Sequence, residues 1–151
     1  MSNLCDLYQE IVIDYSRKPR NFGSLANSTH TYSGHNPLCG DQLTVYFREK
    51  GGVVKEASFD GKGCAISVAS ASLMMEALKG KTVEQIQDLF VQFRNLVTGR
   101  GANTKELGKL AVLSGVSGFP IRVKCATLCW YTTLAALNSF APAWEKNLNA
   151  S

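Results

Sequence analysis

Residues 41–64 read DQLTVYFREKGGVVKEASFDGKGC, and this stretch decides the fold. Apolar and polar side chains alternate through 41–50 and again through 52–61, the period at which a strand buries one face and leaves the other to solvent. Glu49, Lys50, Gly51 and Gly52 lie at the join, so the two runs predict an antiparallel hairpin. Gly61 and Gly63 are expected to break the second strand. The pattern then changes at once: CAISVASASLMMEALK, residues 64–79, combines small residues with good helix formers and is followed by Gly80. A helix is predicted from about Cys64 to that glycine. The run of Ala65, Ser67, Ala69, Ser70, Ala71 and Ser72 implies that this helix approaches another backbone closely.

Working outward, Leu4, Leu7, Tyr8, Ile11 and Tyr15 have the spacing of a helix stripe, with Ser2 or Asn3 as a cap and Pro19 beyond the end. Residues 21–37 are rich in Gly, Ser, Asn and His and predict a loop, with one short strand around Thr29 to Tyr32. Downstream, Thr82 and Gln85 form a capping-box pattern ahead of Ile86, Leu89, Phe90, Phe93, Leu96 and Val97. That predicts an amphipathic helix ended by Gly99. Residues 104–113 suit a short helix. SGFPIRVK, residues 117–124, reads as an extended connection because Pro120 disfavours helix before it. A last helix is expected from near Cys125 through Trp130, Leu134 and Leu137 towards Pro142. The order implies an α+β fold, a small antiparallel sheet of about three strands with helices packed on one face.

Composition narrows the function. At 151 residues and 45% hydrophobic content, the chain suits one domain with a core large enough to fold without disulfides, and no repeat or low-complexity tract suggests a second. A net charge of +4 spread over scattered basic residues argues against nucleic-acid binding. No apolar run approaches a membrane span, and Asp6, Glu10 and Asp14 interrupt the apolar residues of the first segment, which is therefore no secretory signal. The expectation is a cytoplasmic protein, where thiols stay reduced and more often bind metal or catalyse than pair. The odd number of cysteines, 5, agrees with that.

Three of those cysteines share a context. Cys39 precedes the first long strand, Cys64 opens a helix, and Cys125 is expected to open another. A helix N-terminus stabilises a thiolate, the form that binds metal or attacks an electrophile. If the hairpin and the two helix starts meet at one end of the sheet, Cys39, Asp41, Cys64 and Cys125 supply three sulfurs and one oxygen. Such a set suits tetrahedral Zn²⁺ or an iron–sulfur cluster. Set against it is the plainer reading of small residues dispersed along a cytosolic chain, since no C-x-x-C pair occurs.

The segments NPLCGD, GKGCAISVASASLMMEALKGK and FPIRVKCATLCW resemble, in order, the three signatures of the iron–sulfur scaffold family typified by IscU and NifU, and most closely its SufU branch. The IscU-type pattern has a His before the third cysteine; here that residue is Lys124. The long segment between Cys64 and Cys125, with GKLAVLSGVSGFP, is similar to the SufU insertion. The resemblance implies Cys39, Asp41, Cys64 and Cys125 as zinc ligands. It also implies a SufS-type cysteine desulfurase as partner and downstream iron–sulfur assembly proteins as recipients. Cys39 would be the catalytic sulfur acceptor, released from the metal when a desulfurase histidine takes its place. Two other functions remain open: a scaffold holding a [2Fe–2S] cluster on the same ligands, and a non-catalytic adaptor whose zinc is structural.

Three thiolates and a carboxylate exceed the charge of Zn²⁺ by two. Arg122 and Lys124, just before Cys125, are expected to offset that excess and to steer an anionic persulfide. The remaining candidates have plainer readings. Cys5 and Cys129 read as small apolar residues, His35 as a loop histidine, Arg122 alternatively as a surface cation, and Trp130 and Tyr131 as core.

Overall fold

A computed structural model describes residues 2–37, 40–102 and 104–138. The chain runs α1 (Ser2–Arg17), β1 (His30–Asn36), β2 (Asp41–Lys50), β3 (Val53–Lys62), α2 (Ala65–Leu78), α3 (Val83–Val97), α4 (Thr104–Leu107), a 3₁₀ segment (Gly108–Val116) and α5 (Pro120–Asn138). The strands form an antiparallel sheet in the order β1-β2-β3, so the α+β expectation holds.

Alternation in the hairpin sets the layers. Asp41, Leu43, Val45 and Phe47 of β2 are buried, as are Val54, Ala57 and Phe59 of β3. The three-residue step from Val54 to Ala57 follows from a register shift beside Arg48 and Glu49, where β3 carries an extra residue. On this face lies one apolar cluster that takes in Leu73, Met74 and Leu78 of α2, Phe90 and Phe93 of α3, and Leu128 and Trp130 of α5. Phe93 stacks on Trp130 with ring centroids 5.2 Å apart.

The small-residue run brings α2 close to its neighbours, as its composition implies. Ser70 Oγ donates to the Ala126 carbonyl of α5 at 2.6 Å, and Ser72 Oγ accepts from the Arg20 N–H at 2.8 Å. Tyr15 ties α1 to this layer, donating to Glu76 Oε1 at 3.1 Å and accepting from Lys109 Nζ at 3.0 Å. The Arg20 guanidinium lies 3.8 Å from the centre of the Tyr15 ring. Thr82 and Gln85 complete the capping box that opens α3.

Five local expectations need correction. β1 continues to Asn36, well beyond Tyr32, because its backbone pairs with β2 from His30–Phe47 to Asn36–Asp41. Ser2 and Asn3 lie within α1 rather than capping it. Gly61 does not break β3: it stays paired with Leu43 at a φ of 129°, and a Cβ there would collide with the backbone of β2. The region after residue 103 is one turn of α-helix followed by a longer 3₁₀ run. Finally, α5 opens at Pro120, not near Cys125. Proline restrains the residue before it, but its own fixed φ suits the first position of a helix. Cys39, expected as a metal ligand, and residues 139–142, expected to end the last helix, lie outside the described residues.

Candidate metal centre

Asp41 opens β2, Cys64 precedes α2, and Cys125 sits in the second turn of α5. One ligand atom from each lies within 4.8 Å of the other two. β2, the β3–α2 junction and α5 therefore deliver three of the four expected ligands to one place. Tetrahedral Zn–S bonds of about 2.3 Å put two sulfurs roughly 3.8 Å apart, so small side-chain movements suffice to close the set on a metal.

Each ligand is held differently. Cys64 is the N-cap of α2: its backbone is extended (φ −69°, ψ 168°) and its Sγ accepts the Ser67 N–H at 3.4 Å. The helix start thus directs a free N–H at the Cys64 sulfur. Cys64 is exposed, whereas Cys125 is buried. Cys125 does not stand at a helix start, since five residues of α5 precede it. The helix field is concentrated in the first turn, so that part of the expectation does not apply to Cys125.

Asp41 is fully buried. Its Oδ1 accepts the Cys64 N–H at 2.9 Å, which locks the carboxylate to the cysteine loop. Its Oδ2 is buried without a hydrogen-bond partner among the described residues. A carboxylate oxygen is costly to bury alone, and a bound cation removes that cost. A carboxylate grouped with two thiols is a donor set that would suit borderline-soft Zn²⁺.

Arg122 is one turn before Cys125 on the same face of α5, with its guanidinium 4.8 Å from the Phe119 ring. It lines a cleft of about 820 Å³ together with Cys64 and Cys125. The cleft walls are largely apolar, with Ile13 of α1, Ile66 of α2, Leu113 of the 3₁₀ segment and Ile121 of α5. Lys124 is half-buried and is not part of this lining. The structure brings Arg122, but not Lys124, to the cleft beside the thiols.

The plainer readings of Cys129, Trp130 and Tyr131 hold, Tyr131 packing partly buried against the core. Cys129 Sγ is buried at 3.5 Å from Ser70 Oγ and donates to the Ala126 carbonyl at 3.7 Å. Burial pushes its thiol up to about 12, and it is not part of the Asp41–Cys64–Cys125 group. Trp130 is core. His35 belongs to strand β1 opposite Gln42, not to a loop, and is exposed. Sequence reasoning missed Gly63, which packs against the carboxylate, and Ser67, whose N–H bonds the Cys64 sulfur. A Cβ on Gly63 would lie 2.6 Å from Asp41 Oδ1 and 3.2 Å from Ser67 Cβ. The C-x-x-S spacing of a cap and its third helical residue was the available signal.

A sheet end that gathers two thiols and a buried carboxylate is a group that could hold a metal ion on an α+β scaffold. The family described as NifU-like N terminal domain matches residues 7–126, and the chain belongs to that family. It is 40% identical over 130 residues to the zinc-dependent sulfurtransferase SufU of Bacillus subtilis, covering 85% of this chain and 88% of that one. It is also 37% identical over 135 residues to the iron–sulfur cluster assembly scaffold protein IscU of Thermotoga maritima, covering 89% and 95%. Among solved structures, an iron–sulfur scaffold protein for the SUF system from Fervidobacterium islandicum superposes with a TM-score of 0.81 at 34% identity, over 85% of this chain and 94% of that one. Among the described residues no helix is long and apolar enough to cross a membrane.

Proposed function

We propose that the chain is a zinc-dependent sulfur acceptor that takes persulfide sulfur from a SufS-type cysteine desulfurase for iron–sulfur cluster assembly. The observation that carries this is the convergence of Asp41, Cys64 and Cys125, the first of them a buried carboxylate with one oxygen unpartnered among the described residues. The similarity to the Bacillus sulfurtransferase and the lysine before Cys125 support the zinc reading. In this reading the ligands are Cys39, Asp41, Cys64 and Cys125. Bound zinc would keep the thiols deprotonated at neutral pH.

Cys39 is the acceptor. Its thiolate attacks the outer sulfur of the partner's persulfide, the partner's S–S bond breaks, and the partner cysteine leaves as a thiolate. The sulfur is then carried as a Cys39 persulfide, with no net oxidation or reduction. Cys64 and Cys125 retain the metal throughout, and Arg122 attracts the anionic sulfur. The cleft beside these residues gives a partner's loop an apolar surface to enter.

The similarity to the Thermotoga scaffold favours a second reading, in which the same ligands hold a [2Fe–2S] cluster. Protein purified anaerobically should be colourless and carry zinc; visible cluster absorption would favour the scaffold. Cys39→Ser should keep much of the zinc but lose stimulation of the desulfurase. Full stimulation by that variant would overturn the acceptor role.

A further inference from the structure

We propose that Cys64 and Cys125 are a redox pair: in the metal-free chain a small-molecule disulfide converts them to an intramolecular disulfide, which withdraws both sulfurs from the metal. The effect on the metal rests on the metal-centre reading above; the bond itself rests on geometry. The two sulfurs lie within 4.8 Å of one another, and neither cysteine is in a disulfide. The helices beside them are held close, since Ser70 Oγ of α2 donates to the Ala126 carbonyl of α5 at 2.6 Å. A disulfide needs the sulfurs at about 2.05 Å, and Cys64, being exposed, has room to turn towards its neighbour.

Exposure sets the order of events. Both residues border the cleft of about 820 Å³, but Cys125 keeps only 2% of its surface exposed. An incoming disulfide therefore meets Cys64 first. The Cys64 sulfur attacks one sulfur of the small molecule, whose S–S bond breaks; a mixed disulfide forms on Cys64 and a small thiolate leaves. The Cys125 sulfur then attacks the Cys64 sulfur and expels the other small thiolate. Two protein thiols are oxidised, and the small disulfide takes up their electrons and protons as two small thiols. Arg122 is the one charged side chain among the described residues lining the cleft, so it favours disulfides that carry carboxylates. Cys129 is not part of the Asp41–Cys64–Cys125 group and packs against Ser70 instead, so it takes no part. Metal binding needs thiolates, so the oxidised pair has none to offer until a reducing thiol reopens it.

The test exposes the full chain, stripped of metal by a chelator, to glutathione disulfide. Mass spectrometry of unreduced peptides locates the bonds, and a chromophoric indicator follows zinc uptake. The oxidised chain should carry a Cys64–Cys125 bond, leave Cys129 unmodified and lose its zinc uptake, and excess dithiothreitol should restore that uptake. It should also unfold at or above the temperature of the reduced metal-free chain, because the bond joins elements that already meet in the fold. Cys125→Ser should retain glutathione on Cys64 as the mixed disulfide, whereas Cys64→Ser should leave Cys125 unmodified. The proposal is overturned by a bond to Cys39 or Cys129, by glutathione that stays on Cys64 of the wild type, or by glutathione on Cys125 of Cys64→Ser. Undiminished zinc uptake or earlier unfolding of the oxidised chain would overturn it as well. If the reduced wild-type chain binds no zinc, it is the metal-centre reading that fails, and the peptide map still decides the bond.

Discussion

Cys125 and Cys129 stand one turn apart on the same face of α5, yet their surroundings assign them opposite chemistry. Cys125 meets Asp41 and Cys64 at the open end of the sheet, beside the cleft. Cys129 lies a turn deeper, between α5 and α2, where burial holds its thiol neutral. The difference comes from what faces each sulfur: a carboxylate and a helix-capping thiol for one, Ser70 and the Ala126 carbonyl for the other. Cysteine reactivity is therefore a property of position along the α2–α5 seam rather than of the residue.

The comparison is broken most severely at its open end. Cys125→Ala should lower zinc affinity by at least about 100-fold, more than any loss of a supporting hydrogen bond. Cys129→Ala should leave it unchanged. Metal analysis of both variants after dialysis against a weak chelator checks this, and equal loss in both would abolish the distinction. At the closed end, Trp130→Ala removes a fully buried side chain stacked on Phe93. It should cost about 3–5 kcal/mol, measured by urea denaturation of the zinc-free protein.

How much of this was legible in the sequence follows the same division between local and long-range physics. The hairpin, α2 and the capping box of α3 announced themselves because alternation, Gly-Gly and Thr-x-x-Gln act within a few residues. β1 exceeds its predicted length because HTYSGHN has no apolar alternation to signal it; pairing with β2 and the close seat of Gly34 against Thr132 make it a strand. α5 starts earlier than the sequence predicts because Pro120, which disfavours helix before it, itself suits the first position of one. At the site, Cys64 was correctly placed as a helix opener from its neighbours alone. The meeting of Asp41, Cys64 and Cys125 spans 84 residues of sequence and was foreseen only through the family resemblance. In the sequence Ser67 is only one small residue in a run, because a missing hydrogen-bond partner shows only once the fold is known.

The subtlest contrast along the seam is in pH dependence, and Cys129 supplies it. An ordinary thiol has a value of 9.0, and burial raises that of Cys129 to about 12. Below 9.0 the folded and unfolded chains both carry the proton, and stability has its full value. Between 9.0 and about 12 the unfolded chain releases it while the folded chain does not, so the unfolded state binds fewer protons. Stability must then fall as pH rises through that window. Cys129→Ala removes the titrating group and should flatten this part of the profile, even though the lost packing lowers stability at neutral pH. Urea denaturation of zinc-free protein at pH 8 and pH 10.5 provides the comparison: the gap between wild type and variant should narrow at the higher pH. A gap that stays constant would mean that Cys129 ionises as readily in the fold as in the unfolded chain, and the closed end of the seam would not be closed to protons.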